Sequence, residues 1–264
     1  TDDTAIVSVM YANNETGVIF PVETIGAFCK QRGITFHIDA VQAIGKIPID
    51  VNALQCDLLA ISGHKFHAPK GIGVLYVRRG TRLRPLLYGG HQEKARRPGT
   101  HNVPGIVGIG TAANLVMQHL SNSEEAANVK RLRDRLENGL LSQLSNAHLN
   151  GNKNKRVDNT TNVGFEFIEG EAILLYLNEK GIAASSGSAC SSGSLEPSHV
   201  LRAMGVPFTS AHGSIRFSLS RYTTEDEIQY TLQVMPEVVN RLLAISPYWD
   251  ARNKKGKSTT ELAH

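Results

Sequence analysis

The sequence predicts an α/β fold, a mainly parallel sheet with helices followed by a smaller α+β domain. Two observations carry this reading. The first forty residues run strand, loop, helix, strand, the unit from which parallel sheets are built. From Pro104 onward strand-rich sequence gives way to helical periodicity, and strands alternate with helices again past Asn159.

The opening run, Ile6 to Tyr11, is apolar and β-prone. Asn13, Asn14 and Gly17 break it, and Pro21 introduces a helix through Ile25, Phe28 and Cys29 that ends at Gly33. A strand at Thr35 to Asp39 follows, then strand-like runs at Leu58 to Ile61 and Val74 to Val77. Pro104 suits a first helical turn, and Ile106, Ile109, Leu115 and Val116 then recur near period 3.6. The longer helix after it has Ser121 or Ser123 as cap, an acidic first turn at Glu124 and Glu125, and one apolar face of Val129, Leu132, Leu136 and Leu140. Beyond the polar stretch from Asn150 to Asn159, the pattern gives strands at Asn162 to Phe167, Ile182 to Ala184 and Ser214 to Leu219. Helices are expected around Ala172 to Asn178 and from Thr224 toward Leu243. The expected organisation is one domain over residues 1–120, a smaller one over 121–246, and a disordered tail over 247–264, where charge replaces apolar residues.

With 264 residues, 41% of them hydrophobic and 20% charged, the chain can bury one sizeable core or two modest ones. No apolar run approaches the roughly 20 residues that cross a bilayer, and the first residues lack the pattern of a secretory signal. A cytoplasmic location away from membranes is therefore expected. The formal charge of +4 is a weak footprint, and without a basic stripe interleaved with aromatics no nucleic-acid partner is expected. Three cysteines at wide, irregular spacing suggest neither a disulfide framework nor a zinc site, and no resident metal is expected. Cys29 and Cys56 read as small buried hydrophobes. Of the ten histidines, His119, His148, His199 and His264 have no chemical company and are expected to be solvated or capping residues.

Polar landmarks stand where the strands end, which is where parallel α/β sheets gather functional residues. Asn14 follows the first strand, Asp39 ends the second with Gln42 three residues on, and Ser62-Gly63-His64-Lys65 follows the third. A lysine after an apolar strand can be held in a partly desolvated cleft, which frees its amine for a Schiff base. Pyridoxal phosphate serves as an electron sink only while its ring nitrogen stays protonated, and a carboxylate on a neighbouring strand keeps the proton there. Taken alone, Lys65 also reads as a surface lysine and Asp39 as a turn or cap residue. The small residues and proline around Lys65, residues 62–73, are more than a plain surface loop needs.

That segment, together with His-Ile-Asp-Ala-Val-Gln at 37–42 and Asn-Asn-Glu-Thr-Gly at 13–17, resembles the fold-type I, class V aminotransferase family. The most similar branch is the cysteine desulfurases of the NifS and IscS kind. The likeness extends to about Tyr248 and implies that the first domain is the C-terminal part of a large domain binding pyridoxal 5'-phosphate. The family's first part, with the ring that stacks on the cofactor and a helix N-terminus for its phosphate, then lies upstream. Without it, apolar faces and a sheet edge are expected to be exposed. By matching position, Lys65 resembles the lysine that carries the cofactor, Asp39 the partner of the pyridine nitrogen and Gln42 that of the ring hydroxyl. Ser62 and His64 resemble phosphate ligands, and Thr100 the threonine that reaches the phosphate of a partner subunit, implying a homodimer.

Cys190 lies in a run of small residues, 185–194, with two glycines, a composition expected to give a mobile loop. From the loop alone, a linker that happens to contain a cysteine is an equal reading. The family places its persulfide-forming cysteine in the matching Ser-Ala-Cys segment. Arg216 sits where strand alternation turns it away from Ile215 and Phe217; alone it could simply cover apolar surface, but the family's matching arginine grips the substrate carboxylate, with Asn14 assisting. The implied reaction takes L-cysteine to L-alanine and leaves a persulfide on Cys190, from which a sulfur acceptor or iron-sulfur scaffold is supplied, in nitrogen fixation or in general cluster assembly. A selenocysteine lyase, another class V aminotransferase, or a stretch inactive by itself remain alternatives.

Overall fold

The computed structural model describes residues 1–186, 197–250, 255 and 256. The chain forms two compact units. One comprises Thr1–Asn13 and Ile19–Ser123, the other Asn14–Val18 and the chain from Glu124 onward.

The first unit is built on a four-stranded sheet in sequential order, β1 (Ile6–Met10), β2 (Thr35–Asp39), β3 (Leu58–Ser62) and β4 (Gly73–Val77). The first three run parallel and β4 returns antiparallel to β3. Between β1 and β2 lies α1 (Val22–Arg32), which ends at Gly33 in the left-handed conformation, φ 65°, a geometry glycine adopts without steric cost. The helix packs through Val22, Gly26 and Cys29, and Gly26 lies so close to the Leu54 carbonyl that no side chain would fit. Phe36, Ile38, Leu54 and Cys56 complete this core, each at most 1% exposed.

Cys29 and Cys56 are buried free thiols, and burial pushes both upward in pKa, which keeps them in the unreactive protonated form. A short turn with left-handed residues, α2 (Gln92–Ala95), precedes α3 (Val103–Ser121). Asn102 caps α3 by accepting the Gly105 N–H at 3.1 Å. His119, expected to be a solvated or capping residue, is buried, because it continues the inward face of α3 set by Ile109, Ala112 and Val116. The expected exposure of apolar side chains is seen at Ile6 on β1, Val74 and Leu75 on β4, and Phe28 on α1.

In the second unit an antiparallel sheet has the order β5 (Ala147–Leu149), β6 (Thr160–Phe165), β8 (Ser214–Ser218) and β7 (Ser185–Ser186). α4 (Ser123–Gln143), α5 (Gly170–Glu179) and α8 (Glu225–Ile245) cover one face. Leu132, Leu136 and Leu140 of α4 meet Val163, Phe165, Ile215 and Phe217 of the sheet and Met235 and Val239 of α8. α8 begins at a capping box in which Thr224 Oγ1 accepts the Glu227 N–H and Glu227 Oε2 accepts the Thr224 N–H. The other face of β6 carries Asn162 and Gly164, against which α7 (Phe208–His212) packs, with α6 (His199–Ala203) just before it.

The strand expected at Ile182 to Ala184 forms instead just after it, at Ser185–Ser186, where pairing with Ile215 and Arg216 fixes it. β6 likewise starts at Thr160 and stops before Phe167, which is left-handed at φ 69°. Within the stretch read as a tail, β9 (Trp249–Asp250) pairs with β10 (Lys255–Gly256), and Trp249 packs on Phe167 with ring centroids 5.6 Å apart; residues 251–254 and 257–264 lie outside the described residues. No helix among the described residues is long and apolar enough to cross a membrane.

The polar start of β6 is buried because its partners are buried with it. Glu137 of α4 accepts two hydrogen bonds from Arg156, at 2.6 and 2.8 Å, and one from the Thr161 hydroxyl at 2.6 Å. Burial acts most strongly on this carboxyl and raises its pKa, but the Arg156 and Thr161 hydrogen bonds with the Arg156 and Arg133 charges outweigh it and leave the group below the ordinary glutamate value. This stabilisation is therefore complete above a pH of about 4.3, the value in the unfolded chain, and is lost as pH falls through the lowered folded value. Arg156→Ala, which strands Glu137, should cost about 3–5 kcal/mol. Glu137→Gln should show a deficit in urea denaturation at neutral pH that shrinks on acidification through that window.

Candidate active site

The first unit brings several of the expected residues to one end of its sheet. β1 and β2 end level, Met10 opposite Asp39, and Asp39 stands opposite Ala60, two residues before β3 ends at Ser62, so the loops that follow open on the carboxyl edge. Phe36 and Ile38 fill the buried side of β2, which leaves Thr35, His37 and Asp39 on the half-buried side. Asp39 Oδ1 accepts the Val41 N–H at 2.9 Å, and Oδ2 has no hydrogen-bond partner among the described residues. Gln42, in the turn that follows, accepts from Lys46 Nζ through its backbone carbonyl at 2.9 Å and its Oε1 at 3.3 Å. On the same side of the sheet, Ser8 Oγ and His37 Nδ1 lie 2.7 Å apart.

Lys65 follows β3 on a single 3-10 turn, Gly63–Phe66. Phe66 is buried in a cluster with Ala68, Ile109 and Ala112, so α3 clamps the turn from below. Gly63 is equally confined: a Cβ there would meet Ile72 Cγ2 at 2.9 Å and Ala68 Cβ at 3.0 Å. With both ends of the turn held inward, His64 and Lys65 face outward and are exposed. Among the described residues of the first unit Lys65 is not enclosed in the partly desolvated cleft expected for it, and its amine makes no hydrogen bond or ion pair among the described residues. Ser62 Oγ and His64 Nδ1 are 3.0 Å apart, so the two expected phosphate ligands hold each other. Thr100 lies in the exposed segment between α2 and α3, its carbonyl 3.5 Å from Arg97 Nη1.

The second unit holds Asn14 and Arg216. Ile215 and Phe217 enter the core, and Arg216 between them turns to the opposite face of β8, as alternation requires. Its Nη1 donates to the Asn14 carbonyl at 2.7 Å, and its neighbours in register are Asn162 on β6 and Ser185 on β7. Cys190 lies outside the described residues.

Three buried polar residues here were not singled out by the sequence: Glu15, Asn162 and Ser198. Asn162 Nδ2 donates to the Glu15 carbonyl at 3.1 Å, and Ser198 Oγ donates to Glu15 Oε2 at 2.6 Å. Ser198 did carry a signal, a serine just ahead of the apolar pair Val200 and Leu201. Glu15 carried none, since its burial is a tertiary fact.

A mainly parallel sheet with a lysine turn and a carboxylate at its carboxyl edge, followed along the chain by a small antiparallel domain that presents an arginine, is the architecture of a class of α/β transferases. The class-V aminotransferase family model matches residues 1–231, and the chain belongs to that family. It is 63% identical over 248 residues to cysteine desulfurase 2 of Trichormus variabilis, covering 94% of this chain and 62% of that protein. It is 57% identical over 249 residues to the cysteine desulfurase NifS of Azotobacter vinelandii, covering 94% of this chain and 61% of that one. A solved structure of a NifS-like protein superposes with a TM-score of 0.82 at 40% identity, over 91% of this chain and 62% of the other. The chain thus spans about three fifths of the length of these relatives.

Gly63→Ala should destabilise the chain by about 1–3 kcal/mol through overpacking against Ile72 and Ala68. Thermal denaturation reads this directly; an unchanged midpoint would mean the lysine turn is not confined as described.

Proposed function

We propose that the full-length protein is a pyridoxal-phosphate-dependent cysteine desulfurase that converts L-cysteine to L-alanine and leaves the sulfur on Cys190. The observation that carries the reading is the register that sets Asp39 opposite Ala60, two residues before the end of β3, from which the turn bearing Lys65 departs. The donor set fits the cofactor in kind: a carboxylate with one oxygen and an amine that have no partner among the described residues, and a hydroxyl and imidazole beside the amine.

When bound, pyridoxal phosphate supplies an electron sink that weakens bonds at the substrate's α-carbon. Asp39 would hold the proton on the ring nitrogen, Gln42 would meet the ring hydroxyl, and Ser62 and His64 would take the phosphate. Lys65 would carry the cofactor and, once released, remove the α-proton as a general base. Arg216, steadied by the Asn14 carbonyl, would grip the substrate carboxylate in two-point fashion, with the Asn14 side chain assisting. The Cys190 thiolate would attack the substrate sulfur as its bond to the β-carbon breaks. Sulfur is formally oxidised as the β-carbon is reduced to the methyl of alanine, so no outside oxidant is needed.

The same reading makes the protein a cytoplasmic homodimer in which Thr100 reaches the partner's phosphate. The exposed Leu86, Leu87 and Tyr88 shortly before Thr100 support an interface there. The persulfide would pass to an acceptor or iron-sulfur scaffold protein, for nitrogenase or general cluster assembly.

Incubation of the cofactor-loaded, full-length protein with cysteine should release alanine and add one sulfur to the Cys190 peptide. Cys190→Ala should abolish the persulfide and keep the cofactor's visible absorbance, whereas Arg216→Ala should weaken cysteine binding by about 2–5 kcal/mol. Keto-acid formation in place of alanine would assign the chain to the transaminating branch.

A further inference from the structure

Lys46 has no part in the chemistry above, yet its ammonium makes two bonds to a residue that does. It stands four positions after Gln42 in the turn that follows β2, and both side chains are half-buried. In this turn the Ala43 and Ile44 N–H groups return to the Ala40 carbonyl at 3.0 and 2.9 Å, and the Lys46 and Ile47 N–H groups to the Ala43 carbonyl at 3.0 and 3.1 Å. Winding of this kind brings side chains four apart to one side. The backbone is also held from behind. Gly45 has φ 76°, and a Cβ there would come within 3.0 Å of Phe66 Cβ and 3.3 Å of Val116 Cγ2, so this turn rests on the same apolar cluster as the turn bearing Lys65.

Closing the turn requires only the bond from Lys46 Nζ to the Gln42 carbonyl, at 2.9 Å. The same ammonium also donates to Gln42 Oε1, at 3.3 Å. An ammonium carries donors alone, so of the two ends of a primary amide it can meet only the oxygen. Oε1 is thereby committed, and Nε2, which makes no hydrogen bond among the described residues, is the end that remains. Asp39, three residues earlier, is divided in the same way, with Oδ1 tied to the Val41 N–H and Oδ2 left over. The two residues thus offer one acceptor and one donor after the same strand.

We propose that Lys46 is a positioning residue: by holding Oε1 it fixes the orientation of the Gln42 amide, so that a donor and not an acceptor meets the cofactor's ring oxygen. The inference rests on the contact proposed between Gln42 and that ring, and not on the fate of the substrate's sulfur. A ring oxygen bearing negative charge takes a donor and repels an acceptor, so an amide free to turn over would contribute much less. The lysine charge on Oε1 also polarises the amide, which strengthens its N–H as a donor.

The test is a cycle of variants in the full-length protein, read as affinity for pyridoxal phosphate from the visible absorbance gained on titration. Lys46→Met, which keeps the stem and loses the donors, should weaken binding about fivefold, the scale of one hydrogen bond. Lys46→Arg, which still carries donors for both oxygens, should stay within about twofold of the parent protein. Gln42→Leu should weaken binding at least as much as Lys46→Met, and combining the two should cost less than about twofold beyond Gln42→Leu alone, because the amide through which Lys46 acts is gone. Gln42→Leu leaves the carbonyl bond in place. A lysine that only closes the turn, or that acts by charge alone, would therefore give the same loss in both backgrounds, and that result would overturn the proposal, as would parent-like binding in Lys46→Met. Parent-like binding in Gln42→Leu would sink the contact between Gln42 and the ring, and this inference with it. Alanine formation enters none of these measurements, so a failure of the desulfurase reading leaves the cycle to decide the role of Lys46.

Discussion

The parallel register of β2 against β3 is the constraint on which the candidate site depends. Asp39 lies level with Ala60, and β3 runs only to Ser62 before turning. In a parallel pair this register is held, because each strand is hydrogen-bonded along its length and a slip by one residue would exchange the buried and open faces. Phe36 and Ile38 forbid that slip, since it would bring Asp39 to their face. A carboxylate and an amine are thus delivered to one edge by hydrophobic pattern, before any chemistry is considered.

The amine's turn shows the same economy. Gly63 and Phe66 are held by Ile72, Ala68 and α3, and their confinement leaves no direction but outward for His64 and Lys65. A rigid support under a flexible side chain suits a residue that must first hold a cofactor and then move a proton. In the second unit, buried polar pairs do the equivalent work: Glu137 with Arg156 secures the start of β6, and Glu15 with Ser198 and Asn162 secures the stretch leading to Arg216. Such pairs add little net stability but disfavour alternative packings, because any other arrangement strands a charge.

Much of this was legible in the residues. The strand at Thr35 to Asp39, the glycine stop at Gly33 and the helix from Thr224 rest on local sequence, and these elements form where expected. Arg216 between two core residues followed from period-two geometry alone. What escaped the sequence was set by distant partners. β7 forms at Ser185–Ser186, residues of little strand propensity, because β8 offers them a pairing edge. β6 begins at Thr160 because Glu137 and Arg156 satisfy polar groups that would otherwise favour water. His119 is buried, and Lys65 exposed, through packing that no window of a few residues contains.

The most direct test is to load the full-length protein with pyridoxal phosphate, reduce it with borohydride so that the cofactor's bond to its amine becomes permanent, and map the modified peptide. The label should fall on Lys65 and disappear in Lys65→Ala. Label on another lysine, such as Lys46 or Lys70, with Lys65 unmodified, would contradict the arrangement of carboxylate and amine from which the rest is argued.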